Sequence, residues 1–237
     1  MIAIIPDVHG RNFWKNITSN EEIAKYEKII FLGDYLDPYG YEMITKQAAI
    51  DNFNEIIQFK LDNMDKVILL LGNHDLPYIF KEFDTKSRFD TTNAYKISSI
   101  FHKNYQLFKL VDEEQLNDKR YLFSHAGLMN SWASRYKHLL PSIDVNHINS
   151  LLMTKEGVKS LCDVSFIRGG YDSTGSIVWS DAYEKLTDAQ DAMNDMYDYQ
   201  IFGHSQQERY PIINDNWACL DCRQIFVIDD ENKISAL

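Results

Sequence analysis

The chain has 237 residues, 45% of them hydrophobic and 25% charged, a balance ordinary for a globular protein and enough to build one large core. A formal net charge of −11, from 24 Lys and Arg against 35 Asp and Glu, argues against a nucleic-acid partner, which needs a basic surface. No apolar run nears the length of a membrane span, a strand beginning at Ile2 leaves no room for a leader, and 3 cysteines show no pairing scheme, so a cytoplasmic protein with no membrane partner is expected.

Along the chain, short apolar runs alternate with polar, turn-like segments. Ile2-Ala3-Ile4-Ile5 reads as a buried strand and leads into Asp7-Val8-His9-Gly10. Ile29-Ile30-Phe31-Leu32 leads into Gly33-Asp34-Tyr35-Leu36-Asp37 in the same way. Ile44, Ala48, Ile56, Ile57 and Leu61 stand at helical spacing and predict an amphipathic helix over 42–63. That helix would be the crossover to a third strand, 67–71, which runs into Gly72-Asn73-His74-Asp75. Residues 76–83 read as a short helix, 84–93 as a polar lid carrying Arg88, 94–110 as a helix and 112–119 as a surface connection. Tyr121-Leu122-Phe123 is a strand leading to Ser124-His125-Ala126-Gly127. A helix around 145–156 lies in a cap-like excursion over 141–163, and 185–199 is acidic and helical in composition. The last third holds short strands at 176–179, 200–202 (before Gly203-His204-Ser205), 217–221, 225–228 and 234–237. With no repeat or linker, 1–237 reads as a single α/β domain, a pair of packed mixed sheets flanked by helices, with a small cap around 141–163.

Loops at the carboxyl ends of strands in an open α/β sheet share one crevice, where ligands bind. Here they carry Asp7, His9, Asp34, Asn73, His125 and His204. Carboxylate, carboxamide and imidazole donors without a thiolate suit divalent Mn, Fe or Zn. Six donors exceed what one tetrahedral ion with an open position takes, and match two ions about 3.5–4 Å apart sharing a bridging carboxylate. His102, His138 and His147 lie outside these turns with no paired ligands. Cys219-Leu220-Asp221-Cys222 has too few further ligands for a zinc site, because Cys162 is the one other thiol.

The five segments, in this order, resemble the calcineurin-like metallophosphoesterase superfamily, and within it the bacterial and phage enzymes of the phosphoprotein-phosphatase (Ser/Thr phosphatase-like) type. Each motif alone is a weak signal; five in order, from Asp7 to about Asp221, are a strong one. The resemblance implies a four-layer α/β/β/α sandwich and two divalent ions, Mn foremost and Fe or Zn as alternatives. It implies that Asp7, His9 and His204 hold the first ion, that Asp34 bridges, and that Asn73 and His125 hold the second. His74 is then the general acid aimed at the leaving oxygen, and Asp37 the carboxylate that orients and charges its imidazole. The implied reaction is hydrolysis of a phosphate ester by in-line attack of a metal-bridging hydroxide on phosphorus.

Ile167-Arg168-Gly169-Gly170 and Trp179-Ser180-Asp181 resemble the arginine and Trp-Ser-Asp region of the same enzymes, which implies that Arg168 clamps the substrate phosphate. Near the end, Ala218-Cys219-Leu220-Asp221-Cys222 resembles the final strand of the bacterial members. The chain departs from the family at Pro38, where an arginine usually follows the Asp37 position. Either Arg11 supplies that grip or the phosphate is held more loosely. The C-terminal specificity loop of the eukaryotic protein phosphatases has no counterpart here. A phosphomonoesterase acting on a phosphoprotein or a small phosphate ester is the leading expectation. Hydrolysis of dinucleoside polyphosphates or other nucleotides is the enzymatic alternative, and an inert binding module on this fold is the alternative from another class.

Overall fold

The computed structural model describes residues 1–84, 88–192 and 195–237. Among the described residues there are eleven strands: β1 (Ile2–Ile5), β2 (Lys28–Phe31), β3 (Val67–Leu70), β4 (Phe108–Lys109), β5 (Val111–Leu116), β6 (Lys119–Ser124), β7 (Tyr199–Phe202), β8 (Ile212–Ile213), β9 (Trp217–Cys219), β10 (Phe226–Ile228) and β11 (Ile234–Ala236). They form two mixed sheets, one in each of two compact units. The first unit is Met1–Lys109 with Arg223–Leu237, and the second is Leu110–Cys222.

The sheet of the first unit has the order β11-β10-β1-β2-β3-β4. β1 to β4 run parallel; β10 pairs antiparallel with β1, and β11 pairs antiparallel with β10 at the edge. Every residue of β1 and β3 is buried, which is why both read as continuous apolar runs and not as alternation. The crossover helix is Lys46–Asp62, shorter at its start than the spacing suggests, because Gly40–Glu42 forms a 3-10 turn and Thr45 caps the helix by accepting from Ala48 N–H at 3.1 Å. Its buried face, which includes Ala49, Ile50, Phe53, Ile56 and Ile57, follows helical periodicity. Phe53 meets Tyr35 at 5.2 Å and Phe101 at 4.7 Å between ring centroids, and the Tyr35 hydroxyl donates to the Leu70 carbonyl at 2.7 Å. This aromatic packing fixes the loop after β2 against the end of β3.

Downstream, the helix expected over 76–83 is confined to Leu76–Ile79. The one expected over 94–110 ends at Lys103, and a 3-10 turn and β4 follow. The expected lid at 84–93 falls partly on residues 85–87, outside the described residues.

The second unit has the sheet order β5-β6-β7-β9-β8, with β6, β7 and β9 parallel and the outer two strands antiparallel to their neighbours. Two expectations are corrected here. Residues 112–119 are not a surface connection: most of them form β5, paired with β6 from Val111↔Ser124 to Leu116↔Lys119. An edge strand rich in charge lacks the apolar signature because one side faces water. Residues 176–179 are not a strand but a turn, closed by Trp179 N–H and Ser180 N–H donating to Ser176 O at 2.9 and 2.8 Å. Their apolar side chains are buried without joining a sheet.

Within 141–163 the helix breaks into Val145–Ser150, a 3-10 turn and Lys155–Ser160. The backbone of Leu151 approaches Gly157 so closely that a Cβ there would sit 2.3 Å from its carbonyl oxygen. The acidic stretch 185–199 continues the helix Ala182–Thr187, adds Ala189–Ala192, crosses residues 193–194, which lie outside the described residues, and ends in β7. Among the described residues no helix is long and apolar enough to cross a membrane.

Candidate metal centre

In the first unit, three loops at the carboxyl ends of β1, β2 and β3 are bonded to one another. His9 N–H donates to Asp34 O at 2.7 Å and Gly10 N–H to Tyr35 O at 2.9 Å. Gly33, at φ +105°, lies against the third loop: a Cβ there would meet Gly72 N at 2.4 Å. Asp75 completes the link. Its fully buried carboxylate accepts from Asp34 N–H (2.8 Å), Tyr35 N–H (3.1 Å) and Gly72 N–H (2.8 Å), tying the loop after β2 to the loop after β3. Burial and then the Asp34 carboxylate push the Asp75 pKa well up, and the three N–H donors oppose them.

These ties set the donor atoms. Asp7 and Asp34 are buried, each with a carboxylate oxygen within 4.8 Å of the other's. Asp34 Oδ1 accepts from His74 N–H at 2.9 Å, while its Oδ2 lies 3.5 Å from His9 Nε2. His9 Nδ1 donates to Leu36 O at 2.7 Å, the tautomer that presents Nε2 as a ligand. Burial holds the His9 pKa well below its usual value, though Asp34 pulls the other way. Asn73 is buried in the same loop as His74. Two adjacent buried carboxylates and an imidazole with Nε2 as acceptor fit a divalent cation: the ion supplies the positive charge the carboxylates need, and an imidazole must be unprotonated to bind it.

Beside this set, His74 Nδ1 lies 2.9 Å from Asp37 Oδ2, and Tyr78 donates its hydroxyl to Asp37 Oδ1 at 2.5 Å. One oxygen of Asp37 thus holds the His74 ring, while the other is itself held by Tyr78. Burial, then Asp37, pushes the Tyr78 pKa far up, so it is a donor throughout the ordinary pH range. Arg88 reaches the other side of the ring: Nη1 donates to Asp37 O at 2.8 Å and Nη2 lies 3.1 Å from His74 Nε2. Arg11 donates from Nε to Glu42 Oε1 and Oε2 at 2.9 and 3.1 Å, and from Nη1 to Asp7 O at 3.1 Å.

The sequence reading assigned no role to Asp75 or Tyr78, and placed Arg88 only in a lid. The one available signal for Asp75 was its place as the last residue of the third motif; Tyr78 and Arg88 carried none.

In the second unit, His125 directly follows β6 and His204 follows β7 after Gly203, and Gly203 N–H donates to His125 O at 2.8 Å. His125 Nε2 and His204 Nδ1 come within 3.1 Å. The Trp179 ring meets His204 edge-on at 5.6 Å. Ser180 Oγ donates toward Ala126 O (2.9 Å) and Gly127 O (3.1 Å), and the buried Lys185 ammonium donates to Ala126 O at 3.1 Å and to Ser180 Oγ. Gly127 has φ +79°, and a Cβ there would meet Lys185 Cε at 2.5 Å. Arg168 Nη2 donates to His204 O at 3.0 Å and Ser205 Oγ at 2.9 Å, while Nε pairs with Asp181 Oδ2 at 2.5 Å. Asp181 also caps the helix Ala182–Thr187 in a capping box with Glu184. The Trp-Ser-Asp segment therefore packs, braces and anchors the two histidine loops and Arg168. Among the described residues, Cys162, Cys219 and Cys222 form no disulfide.

Among curated proteins, a probable serine/threonine-protein phosphatase of Encephalitozoon cuniculi is 22% identical over 127 residues, 54% of this chain. The match spans only 26% of that protein's length. Among solved structures, a cold-active protein tyrosine phosphatase superposes with a TM-score of 0.62 at 14% identity, over 100% of this chain and 78% of that one. A protein serine/threonine phosphatase from Saccharomyces cerevisiae does so with a TM-score of 0.54 at 13% identity, over 99% and 78%. At such identities the likeness is one of fold, a mixed α/β architecture. A family model described as calcineurin-like phosphoesterase matches residues 1–208, and with that span matched the chain belongs to the calcineurin-like phosphoesterase family.

Proposed function

We propose that the chain is a metal-dependent phosphomonoesterase of the Ser/Thr phosphatase type, using two divalent ions held by Asp7, His9, Asp34, Asn73, His125 and His204, with manganese as the expected metal. Family membership and the motif order support all six as one ligand set. The observation that carries the reading is the Tyr78–Asp37–His74 chain, with contacts of 2.5 and 2.9 Å, next to the Asp7–Asp34 carboxylate pair in the first unit. Bound ions would supply an activated water and withdraw charge from the phosphoryl oxygens.

The chain's own residues do the rest. Asp37, itself held by the Tyr78 hydroxyl, takes the Nδ1 side of His74 and turns Nε2 outward. A proton carried at Nε2 is delivered to the departing alkoxide, a contribution of about 10²–10⁴ when the leaving group is poor. Arg168 grips the phosphoryl group, its guanidinium already oriented by Asp181 and the His204 carbonyl. His125 Nε2 and His204 Nδ1, at 3.1 Å, have the spacing of two ligands on one ion, since bonds of about 2.0–2.1 Å put neighbouring nitrogens about 3.0–3.4 Å apart. We therefore assign both to the same ion, where the sequence reading divided them between two.

The test is elemental analysis of manganese-replete protein together with turnover of aryl phosphates, phosphopeptides, sugar phosphates and dinucleoside polyphosphates. Two ions per chain, monoester hydrolysis and its loss on chelation are expected. Absence of monoester turnover by protein carrying two ions, or turnover indifferent to chelation, would reject the proposal.

A further inference from the structure

Pro38 stands where the family resemblance leads one to expect an arginine, and three arginines lie around Tyr39, next to it in the first unit. Their guanidinium carbons are 5.4 Å (Arg11), 3.6 Å (Arg88) and 5.9 Å (Arg223) from the ring centroid. They differ in what already holds them. Arg11 is bonded through Nε to both oxygens of Glu42, and Arg223 Nε lies 3.5 Å from the same carboxylate. Arg88 pairs with no carboxylate among the described residues.

The contacts of Arg88 all lead to the same place. Its Nη1 donates to Asp37 O at 2.8 Å, the carbonyl of the peptide bond that begins Pro38. Its Nη2 lies 3.1 Å from His74 Nε2, the atom that faces the leaving group in the proposed reaction. The plane rests on Tyr39, which in turn meets His9 edge-on at 5.1 Å. Arg88 and Pro38 also line one pocket of about 180 Å³ with Leu36, Lys46 and Asp90. A guanidinium so placed has stacking and one carbonyl bond to hold its plane, and a weakly bound nitrogen facing His74.

We propose that Arg88 is a second phosphate-gripping arginine of this chain beside Arg168, replacing from a different segment the one that the family resemblance places at Pro38. On substrate arrival its Nη2 exchanges His74 Nε2 for a phosphoryl oxygen. The exchange is favourable because both partners of a guanidinium–phosphate bond are charged, whereas the His74 nitrogen is a neutral acceptor. The bond to Asp37 O and the stack on Tyr39 stay in place and keep the fork oriented. Arg11 remains the brace of the first motif through Glu42 and Asp7 O. The inference rests on the phosphoesterase reading for its setting, and its test is read separately.

The probe is inorganic phosphate, measured by calorimetry and as a product inhibitor on the metal-loaded full chain. Arg88→Ala should weaken phosphate binding about 10- to 100-fold and raise KM for an aryl phosphate, with metal content unchanged. Arg88→Lys should recover only part, since an ammonium cannot bind two oxygens in a fixed fork. Arg88→Ala combined with Pro38→Arg should regain much of the lost affinity. Wild-type affinity in Arg88→Ala, or full recovery by lysine, which can still reach the Asp37 carbonyl, would overturn the assignment and leave Arg88 a brace. Should Arg88→Ala lose metal or fold poorly, the lysine variant decides by the same criterion. Wild-type protein that binds phosphate but turns over no ester would reject the enzymatic reading alone, with the affinity comparison still deciding Arg88.

Discussion

Asp75, the last residue of the third motif, is expected to be worth more to this protein than a loop carboxylate normally is. Its side chain is fully buried and accepts three backbone N–H groups, from Asp34, Tyr35 and Gly72. Asp75→Ala leaves all three without that partner, at about 1–3 kcal/mol for each buried donor left unmet. Three such donors sum to about 3–9 kcal/mol, and relaxation or an entering water puts the expected loss near about 3–5 kcal/mol. Against a total stability of about 5–15 kcal/mol, that is a large share.

Asp75→Asn refines the test. With its amide oxygen in the Oδ2 position it keeps the bonds to Asp34 and Gly72, both 2.8 Å, but its NH₂ then faces the Tyr35 N–H, donor to donor. One lost bond predicts a cost of about 1–3 kcal/mol. Urea unfolding reads both losses as midpoint shifts at constant slope. Calorimetry should also show weaker metal binding in both variants, because the tethered amide belongs to Asp34, the proposed bridge. A shift below about 1 kcal/mol for Asp75→Ala at unchanged slope, or equal losses in the two variants, would refute the reasoning.

Two further outcomes follow from the site. His74→Asn should leave metal content intact, cost about 10²–10⁴ in turnover of an alkyl phosphate and much less with an activated aryl phosphate; equal losses on both substrates, measured by steady-state kinetics, would remove proton delivery from its role. Lys185 is fully buried, and burial lowers its pKa to about 8 from 10.5. The folded chain therefore carries a charge-burial cost below pH 8. Stability should rise between pH 8 and about 10, by at most about 3 kcal/mol, because the unfolded chain binds more protons over that window. Lys185→Met should flatten that rise in denaturation series, and a wild-type curve no steeper than the variant's would contradict it.

Much of the frame was legible because it rests on local rules. Fully buried parallel strands such as β1 and β3 must be apolar on both faces, and the turns that end them must be polar and carry residues tolerant of positive φ. β5 was illegible for the opposite reason: its hydrogen bonds go to β6, while Glu113, Glu114 and Gln115 present the composition of a loop. Residues 176–179 erred the other way, since burial in a turn selects the same apolar side chains as burial in a sheet.

The sequence by itself determined the inventory of the site: which donor types are present, in what order, and that an arginine is missing at Pro38. Only the tertiary structure decided what each group does there. Asp34, Asp37 and Asp75 are chemically the same side chain, yet one lies beside a second carboxylate, one holds an imidazole and one ties two loops together. Likewise Arg11 is neutralised by Glu42 while Arg88, 77 positions further on, comes to rest beside His74. The physical reason is that a side chain's covalent structure sets its charge and hydrogen-bonding capacity. Which partners satisfy that capacity depends on loops distant in sequence, brought to one sheet end by strand pairing.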